Sequence, residues 1–111
     1  MDSWSVEDWK QALAERGTDR EGEAYQRLGQ YLYPQARWFL STRAASQPYL
    51  ARLSYAERDD LAREFVQEAL SRVWQHYSGF GWRSHVRTWA TAILIRCMKQ
   101  FFRKRARQNE T

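Results

Sequence analysis

Apolar residues recur every three to four positions through most of the chain, and almost no stretch alternates as a β-strand would. The clearest stripe includes Leu61, Phe65 and Val73, and a second one begins at Val86 and ends near Phe101. Helices with one apolar stripe must bury it against other helices. We therefore predict an all-α fold, a compact bundle of about four helices.

Hydroxyl residues mark the expected helix starts, because a serine or threonine oxygen can accept a hydrogen bond from an otherwise unpaired backbone amide. Three of them precede a carboxylate by three positions, the spacing of a capping box. The pairs are Ser5 with Asp8, Thr18 with Glu21, and Ser54 with Glu57. They predict the starts of the first three helices, and Ser84 is expected to cap the last one.

Glycine and proline indicate where the helices stop. Gly17 should end the first helix, and Pro34 should kink or interrupt the second because proline removes a backbone donor. Residues 44–54 are predicted to form a connector with a short helical turn. Residues 78–82, Ser-Gly-Phe-Gly-Trp, should end the third helix and separate it from the last one.

The basic residues are unevenly distributed. The chain has 111 residues, 18 basic and 13 acidic, for a net charge of +5. Residues 1–23 hold three basic and seven acidic side chains, whereas residues 69–111 hold nine basic and one acidic. Fifteen of the basic residues are arginine, which suits phosphate recognition. The C-terminal third is therefore predicted to bind a polyanion.

Several classes of protein are disfavoured by composition and motifs. No apolar run approaches the roughly 20 residues of a membrane span, and the N-terminus lacks the pattern of a signal peptide. The single cysteine, Cys97, leaves no intrachain disulfide, so we expect a cytoplasmic protein in which this thiol is a core residue. His76 and His85 are expected to be solvated or capping rather than metal ligands. No catalytic motif occurs, so we expect neither an enzyme nor a cofactor.

The residues from the third predicted helix onward resemble region 2 of sigma factors of the extracytoplasmic-function type, bacterial transcription initiation subunits of the sigma-70 family. The motif consists of residues 64–70 (Glu-Phe-Val-Gln-Glu-Ala-Leu), then Val-Trp at 73–74, a loop containing Phe80, and Val-Arg-Thr-Trp at 86–89. The resemblance extends upstream and covers about residues 6–107. It implies a single domain over residues 1–111, without the family's region 4 helix-turn-helix domain.

The resemblance also implies partners and site residues. Region 2 binds the clamp helices of the RNA polymerase beta-prime subunit, and it recognises and melts the minus-ten promoter element. The polar face of the third predicted helix would contact the clamp: Asp60, Glu64, Gln67, Glu68 and Ser71. The loop, centred on Phe80, would hold a flipped non-template base, and the last helix would follow the strand. The implied DNA-binding residues are Ser78, Gly79, Phe80, Gly81, Trp82, Arg83, Ser84, Arg87, Thr88, Thr91, Arg96, Lys99 and Arg103. An anti-sigma factor is a further partner that the resemblance allows, whereas a membrane is not.

One face of the last predicted helix carries Arg96, Lys99, Arg103 and Arg107, at about 100° per residue. Four phosphate contacts would give single-strand affinity a salt slope near −3. The family commonly has an acidic residue at the position of Arg83, an arginine at that of Ala92 and an asparagine at that of Arg96.

Other interpretations remain open on sequence alone. The polar strip of the third helix could be an ordinary solvated face, and the chain could be a helical protein-interaction module or a nonspecific nucleic-acid binder. Phe80 and Trp82 could pack the loop onto the core, and residues 103–105 could be a solubility tail. Trp74 and Trp89 are expected in the core.

Overall fold

A computed structural model describes residues 3–109 and shows an all-α bundle, as predicted. Within these residues the chain forms five α-helices and no strand. In chain order, the helices α1 to α5 are Val6–Ala14, Asp19–Arg43, Pro48–Ala51, Tyr55–His76 and Val86–Asn109. Four of them are long, and α3 is the short helical turn expected in the connector.

Two of the predicted capping boxes form completely. The Ser5 hydroxyl accepts a hydrogen bond from the Asp8 amide at 3.1 Å, and the Asp8 carboxylate accepts one from the Ser5 amide at 2.9 Å. Ser54 and Glu57 make the same reciprocal pair at 3.1 and 3.0 Å. Reciprocal bonds satisfy two amides that would otherwise lack partners, so α1 and α4 begin where the sequence predicts.

The third predicted box forms only in part. The Thr18 hydroxyl accepts from the Glu21 amide at 3.2 Å, but the Glu21 carboxylate accepts from the amide of Gly17 at 3.1 Å. Gly17 has a φ of +79°, a left-handed conformation that glycine adopts without steric cost. The turn between α1 and α2 therefore depends on this glycine as well as on the Thr18 cap.

The predicted break at Pro34 is wrong, because α2 continues through it. Proline removes the hydrogen bond to the carbonyl of Gln30, and both residues lie on the exposed side of α2, where water can replace that bond. Leu32 and Ala36 are fully buried on the other side. Packing of the buried side keeps the helix continuous.

The predicted cap at Ser84 is also wrong. Helix α5 begins at Val86, one residue later than that cap requires, so His85 occupies the capping position. Its Nδ1 accepts a hydrogen bond from the Arg87 amide at 3.1 Å. The capping role proposed for the histidines is thus confirmed for His85.

Helix α2 lies at the centre of the bundle and packs against α1, α4 and α5. The core contains the predicted stripes, with Leu28 of α2, Val73 of α4 and Leu94 of α5 completely buried. Cys97 is buried as expected, and burial raises the pKa of its thiol. Within the described residues, no helix has the length and apolar character needed to cross a bilayer.

Of the two tryptophans expected in the core, Trp89 is half-buried against it, but Trp74 is 54% exposed. Trp74 lies at the edge of the apolar stripe of α4, where its ring stays open to solvent. The Arg16 guanidinium lies 5.0 Å from its ring centroid and donates to its backbone carbonyl at 3.2 Å. An arginine covers this ring in place of apolar packing.

Helices α2 and α5 run in the same direction along a shared groove. Near the start of α5, the Arg87 guanidinium lies 5.2 Å from the ring centroid of Tyr31. Further along, Arg43 near the end of α2 lines the groove together with Arg103 of α5. The two helices are therefore parallel: residues near the C-terminus of one lie beside residues near the C-terminus of the other.

Candidate functional site

One face of α4 carries the polar residues that the sequence assigns to a protein partner. We call Asp60, Glu64, Gln67, Glu68 and Ser71 the acidic strip, and all five are exposed. Glu68 pairs with Arg72 of the same helix at 2.8 Å. Asp60 and Glu64 make no ion pair within residues 3–109. The strip is accessible, and its role in binding stays a prediction.

Beside the acidic strip, α2 and α4 approach each other closely. A side-chain carbon added at Gly29 would lie 3.5 Å from the Leu70 methyl group. An open groove of about 290 Å³ lies between the two helices at this point, and its walls include Tyr33, Arg63 and Gln67. The strip thus continues into a groove suited to an elongated partner.

Sequence reasoning missed a polar cluster near the start of α4, next to the acidic strip. Asp59 accepts a hydrogen bond from the Tyr33 hydroxyl and one from Arg63 Nε at 3.1 Å. Arg37 lies 3.9 Å from the same carboxylate. Only the four-residue spacing of Asp59 and Arg63 could have been recognised in the sequence. The cluster joins α2 to α4 and fixes the orientation of the acidic strip.

The opposite charge lies on α5. We call Arg96, Lys99, Arg103 and Arg107 the basic face, and all four side chains are exposed. None of them makes an ion pair within the described part of the chain. The reason lies in the sequence, since residues 69–109 contain no aspartate or glutamate. Their charges are available to an external anion.

The segment between α4 and α5, residues 78–84, is the aromatic loop. Its Phe80 ring stacks on Trp89 with centroids 4.3 Å apart and planes 6° from parallel. Trp82 lies 4.8 Å from Phe80, and both rings pack against the core. These two rings therefore hold the loop against the core, and the role of the loop in binding stays a prediction. The other loop residues are exposed: Ser78, Gly79, Gly81, Arg83 and Ser84.

Trp82 has a φ of +55°, a left-handed conformation that is uncommon for a large side chain. Such a residue costs roughly 1–2 kcal/mol and persists only where the surroundings hold it. Here Phe80 lies on one side of the ring and the Lys10 ammonium lies 5.5 Å from its centroid. The loop is therefore held in one shape in the free protein.

Two residues predicted to bind DNA lie toward α2 instead of among the exposed cations. The Arg87 guanidinium covers Tyr31, and the Thr91 hydroxyl donates to the carbonyl of Arg87 at 2.8 Å. Both are half-buried, whereas Thr88 is exposed. Arg87 is thus held in place at the start of the groove between α2 and α5.

The C-terminal cations of residues 103–107 belong to helix α5. Helix α5 continues to Asn109, and the Arg105 guanidinium lies 3.7 Å from the ring centroid of Tyr49, close to α3. This contact holds the last turns of α5 against the region of α3, so Arg103 extends from a packed helix.

Among residues 3–109, no group of three His, Cys, Asp or Glu side chains is arranged to hold a metal ion.

The family model described as sigma-70 region 2 matches residues 25–108, which include the acidic strip, the aromatic loop and the basic face. No curated protein and no solved structure matches the chain significantly.

Proposed function

The chain belongs to the sigma-70 region 2 family, and on this premise we propose a binding partner for each of its two charged faces. Region 2 is a promoter-recognition domain of sigma factors and is not an enzyme. The family has the RNA polymerase core and promoter DNA as partners. The acidic strip binds the clamp helices of the beta-prime subunit. The aromatic loop and the basic face hold the non-template strand of the minus-ten element and open it.

The observation that carries this proposal is the separation of charge between α4 and α5. Asp60 and Glu64 are exposed on one helix, and Arg96, Lys99 and Arg103 are exposed on the other; none of the five has an ion-pair partner among residues 3–109. A protein partner and a DNA strand could therefore occupy the domain at the same time. A simple interaction module would leave the basic face without a partner.

The aromatic loop supports capture of a flipped base. Removing a base from the stack costs a few kcal/mol, so a receiving loop should be shaped in advance. The stack of Phe80 on Trp89 and the held backbone of Trp82 provide that shape. The exposed residues Gly79 and Gly81 flank Phe80 in the chain, and their lack of side chains would let a base edge or phosphate approach the backbone.

The proposal places the chain with sigma factors of the extracytoplasmic-function type, working in the bacterial cytoplasm, where an anti-sigma factor could cover either face. The motif of residues 64–70 and 86–89 supports this assignment.

The DNA part is tested by selecting bound strands from a pool of randomised single-stranded oligonucleotides. We expect a short enriched motif, and a selected strand should bind more tightly than its scrambled version. Equal affinity for both would indicate a nonspecific nucleic-acid binder and contradict the proposal. Phe80→Ala should weaken the selected strand by about tenfold and the scrambled strand much less, since a stacked base contributes roughly 1–3 kcal/mol.

The protein part is tested with a fragment containing the beta-prime clamp helices. The double variant Gln67→Ala with Glu68→Ala should lose binding to this fragment and keep its affinity for the selected strand. Gln26→Ala is a matched control, because Gln26 is an exposed helical residue of α2 outside the acidic strip. If the double variant stayed folded and lost both activities, the division into two faces would be wrong.

A further inference from the structure

We propose that Trp38, on α2, is a second base-stacking position for single-stranded DNA and that the strand follows the groove between α2 and α5. This inference rests on the proposed DNA-binding function and extends it to a helix that the sequence did not implicate. The ligand is one nucleotide of the strand, with its base on the indole and its flanking phosphates on nearby cations.

Trp38 differs from the other five tryptophans. It is 69% exposed, and within the described residues it is the tryptophan without a ring or cation partner. Trp89 stacks on Phe80, and even the exposed Trp74 is covered by Arg16. Leaving a large aromatic ring open to water forgoes the apolar burial that it could contribute to the fold. An uncovered indole next to a groove is a ready stacking surface.

The groove beside Trp38 has a deep apolar part and a cationic part. The apolar part has a volume of about 260 Å³ and is lined by Pro34, Gln35, Trp38, Phe39, Leu94, Ile95 and Met98. The cationic part, about 290 Å³, shares Phe39 and adds Arg43, Lys99 and Arg103. Among residues 3–109, no carboxylate lines either part. Bases and phosphates require these two kinds of surface side by side.

Three cations, Arg43, Lys99 and Arg103, line this end of the groove. The Arg43 guanidinium lies 4.9 Å from the Phe39 ring centroid and makes no ion pair among residues 3–109. Lys99 and Arg103 belong both to the groove and to the basic face. The groove is thus continuous with the surface already proposed for the strand, which favours DNA over an acidic helix from a protein.

The spacing along α2 suits a strand that begins at the aromatic loop. Tyr31 and Trp38 are separated by seven residues, so they share one face of α2 about 10 Å apart. Arg87 covers Tyr31 near the start of α5, and α5 runs parallel to α2. A strand leaving the loop along α5 therefore reaches Trp38 before it reaches Arg103.

The test measures the affinity of a selected single-stranded oligonucleotide for the parent and four variants across a series of salt concentrations. Trp38→Ala should weaken binding by about tenfold, and Trp38→Phe, which keeps a stacking ring, by only about two- to threefold. Trp74→Ala is the matched control, an exposed tryptophan on α4, and should bind like the parent. The salt slope should stay unchanged in Trp38→Ala, because a stack releases no counterions, while Lys99→Gln should lower it by about 0.7.

Parent-like binding by folded Trp38→Ala would overturn the inference and leave the groove to a protein partner. If Phe80→Ala still weakened the selected strand in that case, the proposed function would stand without the second position. Equal losses in Trp38→Phe and Trp38→Ala would also overturn it, since a stack tolerates the exchange of one ring for another. If the parent bound no single strand, both proposals would fail together.

Discussion

Several basic side chains on α1, α2 and α4 lie close to carboxylates, with Arg27 at 3.1 Å from Glu23 and Arg63 at 3.1 Å from Asp59. Those of the basic face on α5 have no such partner in the described part of the chain. Both regions are rich in arginine and form exposed helical surfaces. The difference lies in the acidic residues, which are frequent before position 69 and absent from residues 69–109.

This contrast shows that net charge says little about where a protein binds a polyanion. A paired arginine contributes to the fold and presents little free charge, whereas an unpaired one keeps its charge for a ligand. The comparison predicts different outcomes for the same substitution in the two regions.

The largest effect is expected from removing the basic face. Replacing Arg96, Lys99, Arg103 and Arg107 by Gln should weaken single-strand binding on the order of 100-fold at low salt and flatten the salt slope by about 3. The measurement is a titration of a labelled oligonucleotide at several salt concentrations.

The matched control removes the same net charge from paired cations outside the DNA site, by replacing Arg20, Arg27, Arg63 and Arg72 with Gln. Affinity should then change by no more than about threefold. A loss as large as that of the first variant would mean that total charge, and not its position, governs binding.

An intermediate effect is expected on stability at the α2 and α4 contact. Asp59→Asn weakens the hydrogen bonds with Tyr33 and Arg63 and should lower the free energy of unfolding by about 2 kcal/mol. Urea unfolding measures this change. Asp60→Asn, at an exposed and unpaired neighbour, should change stability by less than about 0.5 kcal/mol. Equal effects would contradict the structural role of Asp59.

The smallest effect concerns pH and the start of α4. Hydrogen bonds with Ser54 lower the pKa of Glu57 from its ordinary value of 4.5. Because the pKa is lower in the folded state, this stabilisation is complete above pH 4.5 and is lost as the pH falls through the folded-state value. Glu57→Gln should therefore have a slightly lower Tm than the parent at neutral pH, and the difference should shrink as the pH falls below 4.5. A difference independent of pH would contradict this account.

Local rules predicted much of the fold because they depend on residues close together in the chain. The caps at Ser5 and Ser54 and the stripe of Leu61, Phe65 and Val73 need only three or four neighbouring positions. Pro34 was misjudged because its cost depends on whether the freed carbonyl meets water, which is a property of the whole bundle.

The candidate site was less predictable, for a similar reason. The exposure of the acidic strip and the basic face follows from helical periodicity. The cluster around Asp59 joins residues 26 positions apart, so no local pattern reveals it. Trp38 lies off the buried stripe of Leu32, Ala36 and Leu40, a signal that was present in the sequence, but its open ring became apparent only in the packed structure.

The parallel arrangement of α2 and α5 also aligns their backbone dipoles. Both C-terminal ends, which carry partial negative charge, lie toward the same side of the bundle, where Arg43, Arg103 and Arg107 offset it. The first turn of α5 has no acidic residue, so its partial positive charge is not neutralised there. A strand along α5 would then meet this partial positive charge at the beginning of the helix, beside the exposed residue Thr88, and side-chain cations at its end.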